Sequence, residues 1–514
     1  MRSALLGFVL LSCLQARAHA QTAAAPAPER QTAADLDAAE EIMDASDPEA
    51  VPEQPSSPHV FELRWTTMVT ASGGEPETSL TLAEDGFRTE DLLRPRAAKL
   101  YPSTAVAAYG EVVAFDWLMF RALFDTREIR DGATLDPPLD GVAMNGNPAD
   151  DELASGAALR ELSFLLGNEQ LSVEAGRFQS EVGEGLVYRD YGAGLRVRAD
   201  FEAMDVGPVE AEILLTSVGQ RVEEIEANQL FALRADWKLS PFEHLSAFIA
   251  GSDDDNGEIS EVLRSAYAES LLTDQDALTS LFLQDQGSGR QGYIGVSAHV
   301  IAAEGLTMKG RIVLSGGKLE LRVPPEEIVT PEDFLDGETI EIEVGGVAAD
   351  VEAHYGVDSW IDLAAYAFLL SGDAPPGREG TRYRSFIGLA PHWTWTGLFF
   401  SGGLNAGLYP NRASAAGING RGVLGFGPGI ELTGDELSAE SRVIVLTSTA
   451  DPPPSPLGGS SRLYGVELDV LVEWQPFRFL SLGAEVDVLV PGTFFASSEL
   501  AYLALTRVTV LHAN

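Results

Sequence analysis

From His59 onward the chain alternates apolar and polar residues with a period of two, in runs that are long for a soluble sheet. Tyr464, Val466, Leu468, Val470, Val472 and Trp474 fall on one face of a strand, with Gly465, Glu467, Asp469, Leu471 and Glu473 on the other. Gln475-Pro476-Phe477-Arg478 makes a short turn, and residues 480–490 repeat the pattern with Ser481, Gly483, Glu485 and Asp487 on the polar face. Residues 193–201, 231–239 and 347–355 read the same way. Successive strand side chains point to opposite faces, so each run has one greasy side and one densely charged side. The runs are about nine to thirteen residues, against about five or six for a typical soluble strand. A tilted strand crossing a bilayer needs about nine to eleven, apolar toward lipid and polar toward a lumen. In lipid every backbone polar group must be paired internally, which a sheet achieves only by closing. The pattern therefore predicts an all-β fold, a transmembrane antiparallel β-barrel of about 16–18 strands with long loops. It should be one domain over residues 59–514. Trp65, Trp360, Trp393, Trp395, Phe399, Phe400, Trp474, Phe477 and Phe479 lie near strand ends, where girdles at the two membrane interfaces are expected.

Charge and cysteine content remove several alternatives. Lys and Arg number 34 against 78 Asp and Glu, a formal charge of −44. Phosphate binding needs clustered cations, so nucleic acid is not an expected partner. A hydrophobic content of 45% is too high for global disorder. The one Cys allows no internal disulfide and no Cys-based zinc site.

The N-terminus reads as a targeting segment. Arg2 precedes an apolar run from Ala4 to Leu14, and Ala18-His19-Ala20 then gives a small-x-small cleavage site. Residues 1–20 are therefore expected to be a secretory signal peptide. Leu10-Leu11-Ser12-Cys13 also fits a lipoprotein box, and cleavage after Ala20 is preferred because only a short apolar run precedes Cys13. Residues 21–58 carry nine acids against Arg30, with six prolines, and read as a disordered acidic periplasmic tether.

Three segments interrupt the alternation and are expected to be long loops: 130–158, 251–292 and 322–343. The second opens with Asp253-Asp254-Asp255-Asn256-Gly257-Glu258 and continues in a helical pattern over 259–283. Carboxylates this close suit calcium, but the twelve-residue binding-loop pattern is missing, so a solvated turn is preferred and no metal site is expected. Seven histidines are scattered without His-Glu-x-x-His spacing, and no Ser stands out as a nucleophile. The Gly-rich stretch 417–429 lacks the lysine of a phosphate loop and suits turns and bent strands. No catalytic residue and no cofactor is expected.

If the greasy faces meet lipid, the polar faces line the lumen. The candidate pore-lining residues are then Arg177, Arg196, Arg198, Arg234, Lys238, Lys309 and Arg311, with Glu467, Asp469, Glu473, Glu485 and Asp487. The cations concentrate between residues 177 and 311 and the acids in the last two hairpins, which suggests a basic wall facing an acidic one. Pairing of the same charges for stability alone fits the sequence equally well.

Residues 171–201 include Gly176-Arg177-Phe178-Gln179, then Gly183-Glu184-Gly185-Leu186, then Gly192-Ala193-Gly194-Leu195-Arg196. This stretch resembles the early strands of alginate-export-type outer-membrane barrels, in which a Gly-Arg-Gln-like strand precedes a Gly-rich bend. The resemblance implies a barrel of about eighteen strands passing an exopolysaccharide across the bacterial outer membrane. It also implies that Arg177, Arg196 and Arg198 line the conduit. The expected function is passive, charge-guided passage of a polysaccharide, with a small-solute porin or a plugged surface scaffold as alternatives. The expected partners are the outer-membrane bilayer, a polysaccharide chain and a periplasmic export partner docking on the tether.

Overall fold

A computed structural model describes residues 59–74, 96–115, 117–125, 158–218, 228–254, 262–263, 288–323, 338–374, 381–397, 399, 414–434, 436–452, 459–495 and 500–513. Residues 1–58, and with them the expected signal peptide, Cys13 and tether, lie outside these, as do Phe400 and Asp255 to Glu258.

The first nine strands are β1 (His59–Gly74), β2 (Arg96–Phe115), β3 (Leu118–Asp125), β4 (Ala158–Gly167), β5 (Leu171–Val182), β6 (Tyr188–Asp200), β7 (Val209–Ser217), β8 (Asn228–Ser240) and β9 (Glu243–Asp254). β10 (Ser288–Ala303), β11 (Leu306–Val323), β12 (Glu338–Asp358) and β13 (Ile361–Leu370) follow. Three two-residue strands come next: β14 (Arg382–Tyr383), β15 (Ile387–Gly388) and β16 (Ser414–Ala415). The chain ends with β17 (Val423–Thr433), β18 (Leu437–Thr447), β19 (Leu463–Phe477), β20 (Leu480–Pro491) and β21 (Ala501–Ala513).

Each long strand pairs antiparallel with its neighbours in the chain, β13 pairs with β17, and β21 pairs with β1. Eighteen strands thus form a closed antiparallel barrel with no free edge, which satisfies the backbone in a bilayer. Turns of two or three residues join β2 to β3, β4 to β5, β8 to β9, β10 to β11, β12 to β13 and β19 to β20 at one end. The eight-residue β6–β7 connection shares that end, and the longest connections gather at the other, the arrangement of outer-membrane barrels with short periplasmic turns and long outer loops.

The outward face carries the apolar band. Ile249, Ile294 and Val490 are each more than half exposed, and Leu195, Ile213, Leu314 and Leu468 share that face. Such a surface is stable only against lipid, at about 25 cal/mol per Å² of apolar area removed from water. Aromatics ring the short-turn end, where Trp117 stacks on Phe115 and Phe479 on Phe477, with Trp237, Trp360 and Trp474 also exposed.

Toward the long-loop end the polarity inverts. Leu319, Ile342 and Val344 point inward and are buried, while Lys318, Glu341 and Glu343 point outward. Outward ion pairs join Lys318 to Glu341 at 2.6 Å and Arg290 to Asp253 at 3.3 Å. The inversion corrects the expected loop bounds. β9 runs through Asp254, β10 begins at Ser288, and β12 begins at Glu338. Strands that project beyond the bilayer keep period two but reverse its sign, so acids there are strand residues.

Three further expectations change. Tyr464 sits inside, because a bulge opposite Leu446 and Thr447 leaves it extra in β19 and Gly465 takes φ +149°. Leu463 and Val466 both remain outside. Residues 423–429 of the Gly-rich stretch belong to the barrel strand β17. Trp393, Trp395 and Phe399, expected in a girdle, are 0%, 4% and 1% exposed inside the barrel.

Candidate functional site

Two chain segments turn into the lumen and meet there. The first is the five-residue connection between β5 and β6, residues 183–187. Its backbone is left-handed at three consecutive positions, Gly183 (φ 64°), Glu184 (φ 49°) and Gly185 (φ 83°). Glycine takes that region freely, whereas glutamate adopts it at a cost. The second is residues 385–397 with Phe399, in the connection between β13 and β17, after β14 has paired with β12 in the wall. Leu389 N–H donates to Val187 O at 2.8 Å, His392 N–H to Gly185 O at 2.7 Å, and Trp393 Nε1 to Leu186 O at 3.2 Å.

The inner wall holds the second segment from several sides. Tyr293 donates its hydroxyl to Ile387 O at 3.0 Å, and Trp395 Nε1 donates to Asp350 at 3.0 Å while its ring stacks on Phe368. Arg442 donates to Trp395 O at 3.0 Å, and Phe399 N–H donates to Glu467 at 3.1 Å. Two glycines permit the approach. A Cβ on Gly346 would lie 2.5 Å from the Phe386 backbone, and one on Gly397 would lie 2.3 Å from the Asp487 carboxylate.

The expected basic row sits on the inner wall as a set of ion pairs. Arg196 is buried between Glu174 (2.8 Å) and Glu212 (3.5 Å), with its guanidinium over the Phe178 ring. Arg198 reaches Glu212 at 2.6 Å, Arg234 reaches Asp236 at 2.9 Å, and Lys238 reaches Asp200 at 3.0 Å. Lys309 lies 3.3 Å from Glu184, and Arg311 grips Asp350 while donating to the Glu184 carbonyl at 2.7 Å. Arg177 is placed apart from these. Its register partners are Leu162 and Ala193, on the face opposite Arg196.

The acids divide into two settings. Glu467, Asp469, Glu485 and Asp487 are buried on β19 and β20, with Asp469 opposite both Asp487 and Arg442 in register. Glu473 pairs with Arg507. The two expected walls are therefore each mixed, since acids interleave the cations and arginines the acids.

Glu184 is the site residue that alternation does not reveal. Its carboxylate accepts a hydrogen bond from Ser297 and faces Lys309 and Arg311. Burial pushes its pKa upward, but the Ser297 bond and the two cations outweigh this and hold it below the usual carboxylate value. His392, beside it, is held down to about 4 by burial and by Arg189 and Arg311, so it is neutral at neutral pH. A small recess of about 10 Å³, the room of one water, opens beside Glu184, lined also by Arg234, Ser246, Phe248, Ser297 and Arg311. Two sequence signals mark these segments: a Glu flanked by glycines between strands, and the absence of Asp, Glu, Lys and Arg over residues 385–411.

No protein-family model matches the chain, and no curated protein matches it. Solved structures do. Pseudomonas aeruginosa OccK9 (OpdG) matches at 10% identity and a TM-score of 0.47, over 89% of this chain and 98% of that one. The outer membrane protein opdK from Pseudomonas aeruginosa matches at 8% identity and a TM-score of 0.46, over 89% and 99%. Acinetobacter baumannii OccAB2 matches at 10% identity and a TM-score of 0.47, over 88% and 98%. What the chain shares with them is the fold, a closed antiparallel β-barrel.

The alginate-export assignment does not stand. No family model supports it, and the matching structures named here are Occ and Opd proteins. The polysaccharide-export function falls with it. The residues behind the resemblance are arranged otherwise: Arg177 shares a face with Leu162, Arg196 is enclosed by two glutamates, and the Gly-rich bend carries Glu184 into the lumen. Leu186, Tyr188, Phe386 and Trp393 are fully buried where a wide conduit would need open space.

Proposed function

We propose that the protein is a porin, passing small solutes passively between the two inward segments and the charged inner wall. The observation carrying this reading is the closed eighteen-strand barrel with ion-paired side chains along its inner wall, Arg234 and Arg311 among them. Fixed charges around a narrow, wet passage select by size and charge without chemistry. We also propose that residues 1–20 are removed as a signal and that 21–58 form a periplasmic tether. The start of β1 at the short-turn end supports that side for the tether.

A closed scaffold barrel is the second reading, favoured by the dense packing of Phe386, Trp393 and Trp395. Liposome swelling separates the two. Proteoliposomes should admit small sugars and amino acids and exclude dextran. Failure of a correctly folded barrel to admit any small solute would leave the scaffold.

A further inference from the structure

Strand register brings two of the scattered histidines together. His244 and His299 stand opposite one another on β9 and β10. His244 shares the inward face with Ser246 and Phe248, and His299 shares it with Ser297. Both are half-buried near the short-turn end, where β9 begins and β10 finishes. Their rings meet edge to face, with centroids 5.6 Å apart and planes at 73°.

Edge-to-face packing accounts for the ring spacing but not for the ring nitrogens. Neither imidazole has a hydrogen bond or an ion pair among the described residues. His354, elsewhere on the inner wall, lies 3.3 Å from Glu431 by contrast. The neighbours in register are cations, Lys238 beside His244 and Lys309 beside His299. Each is already engaged by carboxylates. Lys238 Nζ lies 3.0 Å from Asp200 and 3.3 Å from Glu202, and Lys309 Nζ lies 3.3 Å from Glu184. The histidine pair is therefore flanked by compensated charge.

We propose that His244 and His299 together bind one divalent transition-metal ion, Zn²⁺ or Cu²⁺, on the inner wall. Two imidazoles that hold one ion at ~2.0–2.1 Å in a tetrahedral arrangement keep their ring centroids ~5 Å apart. The observed spacing is already close to that, so side-chain rotation brings one nitrogen of each ring to the ion while the backbone stays in register. No described group ties either ring down against that rotation. Among the described residues no third His, Cys, Asp or Glu joins the pair, so water completes the shell. Such a site is open and exchangeable, unlike a closed structural one. Imidazole nitrogen suits Zn²⁺ and Cu²⁺, whereas Mg²⁺ and Ca²⁺ take oxygen ligands.

The test is titration calorimetry of Zn²⁺ into the full chain in detergent, without an affinity tag and with Mg²⁺ in excess to occupy exposed carboxylates. His244→Gln and His299→Gln should each weaken Zn²⁺ binding at least about tenfold, since a lost ligand costs no less than a lost partner of a ligand. His354→Gln should leave it unchanged. No Zn²⁺ binding by the parent would overturn the proposal, and so would equal binding by the parent and both variants. An equal loss in His354→Gln would also overturn it, because binding would then follow the number of histidines and not this pair. If neither variant folds, Cu²⁺ bound to the parent must show electron-spin-echo modulation from two imidazoles, and modulation from one or none overturns the proposal. Binding is read without conductance. A barrel that binds Zn²⁺ but passes nothing would sink the porin reading alone, and a conducting barrel indifferent to both substitutions would sink this site alone.

Discussion

Two levels of the same strands differ in what they present to the lumen. Near the short-turn end β6 to β12 point Arg198, Arg234, Lys238, Arg311 and Asp350 inward and Leu195, Leu233 and Val351 outward. Near the long-loop end the inward set becomes Leu230, Leu319, Ile342 and Val344, and the outward set acquires Lys318, Glu341 and Glu343. The backbone pairing is continuous through both levels, and only the sign of the alternation changes. The lower level meets lipid outside and water inside. The upper level meets water outside and encloses residues 385–397 with Phe399, so apolar side chains turn inward to cover Phe386 and Trp393. The barrel thus carries a hydrophobic core of its own above a charged level.

The upper level should be the more sensitive to truncation. Ile342 is fully buried, so Ile342→Ala should destabilise the barrel by about 2–5 kcal/mol through lost burial and a residual cavity. Urea unfolding in detergent measures this, and a cost near zero would mean that this level is loosely packed. At the lower level Arg198 is 47% exposed beside Glu212. Arg198→Gln should change stability by less than about 1 kcal/mol, because exposed ion pairs contribute little. It should still move the reversal potential toward cations under a salt gradient. An unchanged reversal potential would remove Arg198 from the solute path.

Legibility from sequence follows the same division. Wherever alternation was strong, strand identity and the lipid-facing side could be read, because lipid and lumen impose opposite demands on neighbouring residues. The parity of Tyr464 could not, since a single bulge at Gly465 shifts every residue beyond it to the other face. Acidity at Asp253 and Glu341 reads as loop from sequence, although beyond the bilayer an acid suits the outer face of a strand, while Asp254 is a strand acid buried on the inner face. Trp393, Trp395 and Phe399 resemble interface aromatics by their place near strand ends, whereas they are buried inside the barrel. Glu184 belongs to no strand and carries no periodic mark, and its partners lie 113 to 127 residues away in the chain.

The central claim is that residues 385–397, Phe399 and Glu184 narrow a passage that is otherwise open. Single-channel conductance across a planar bilayer tests it directly, comparing the parent with a variant in which a short Gly-Ser linker replaces residues 385–399. The parent should show a small, stable conductance, and the variant one roughly several-fold larger. Equal conductance from two folded barrels would contradict the account, because the inward segment would then lie outside the path.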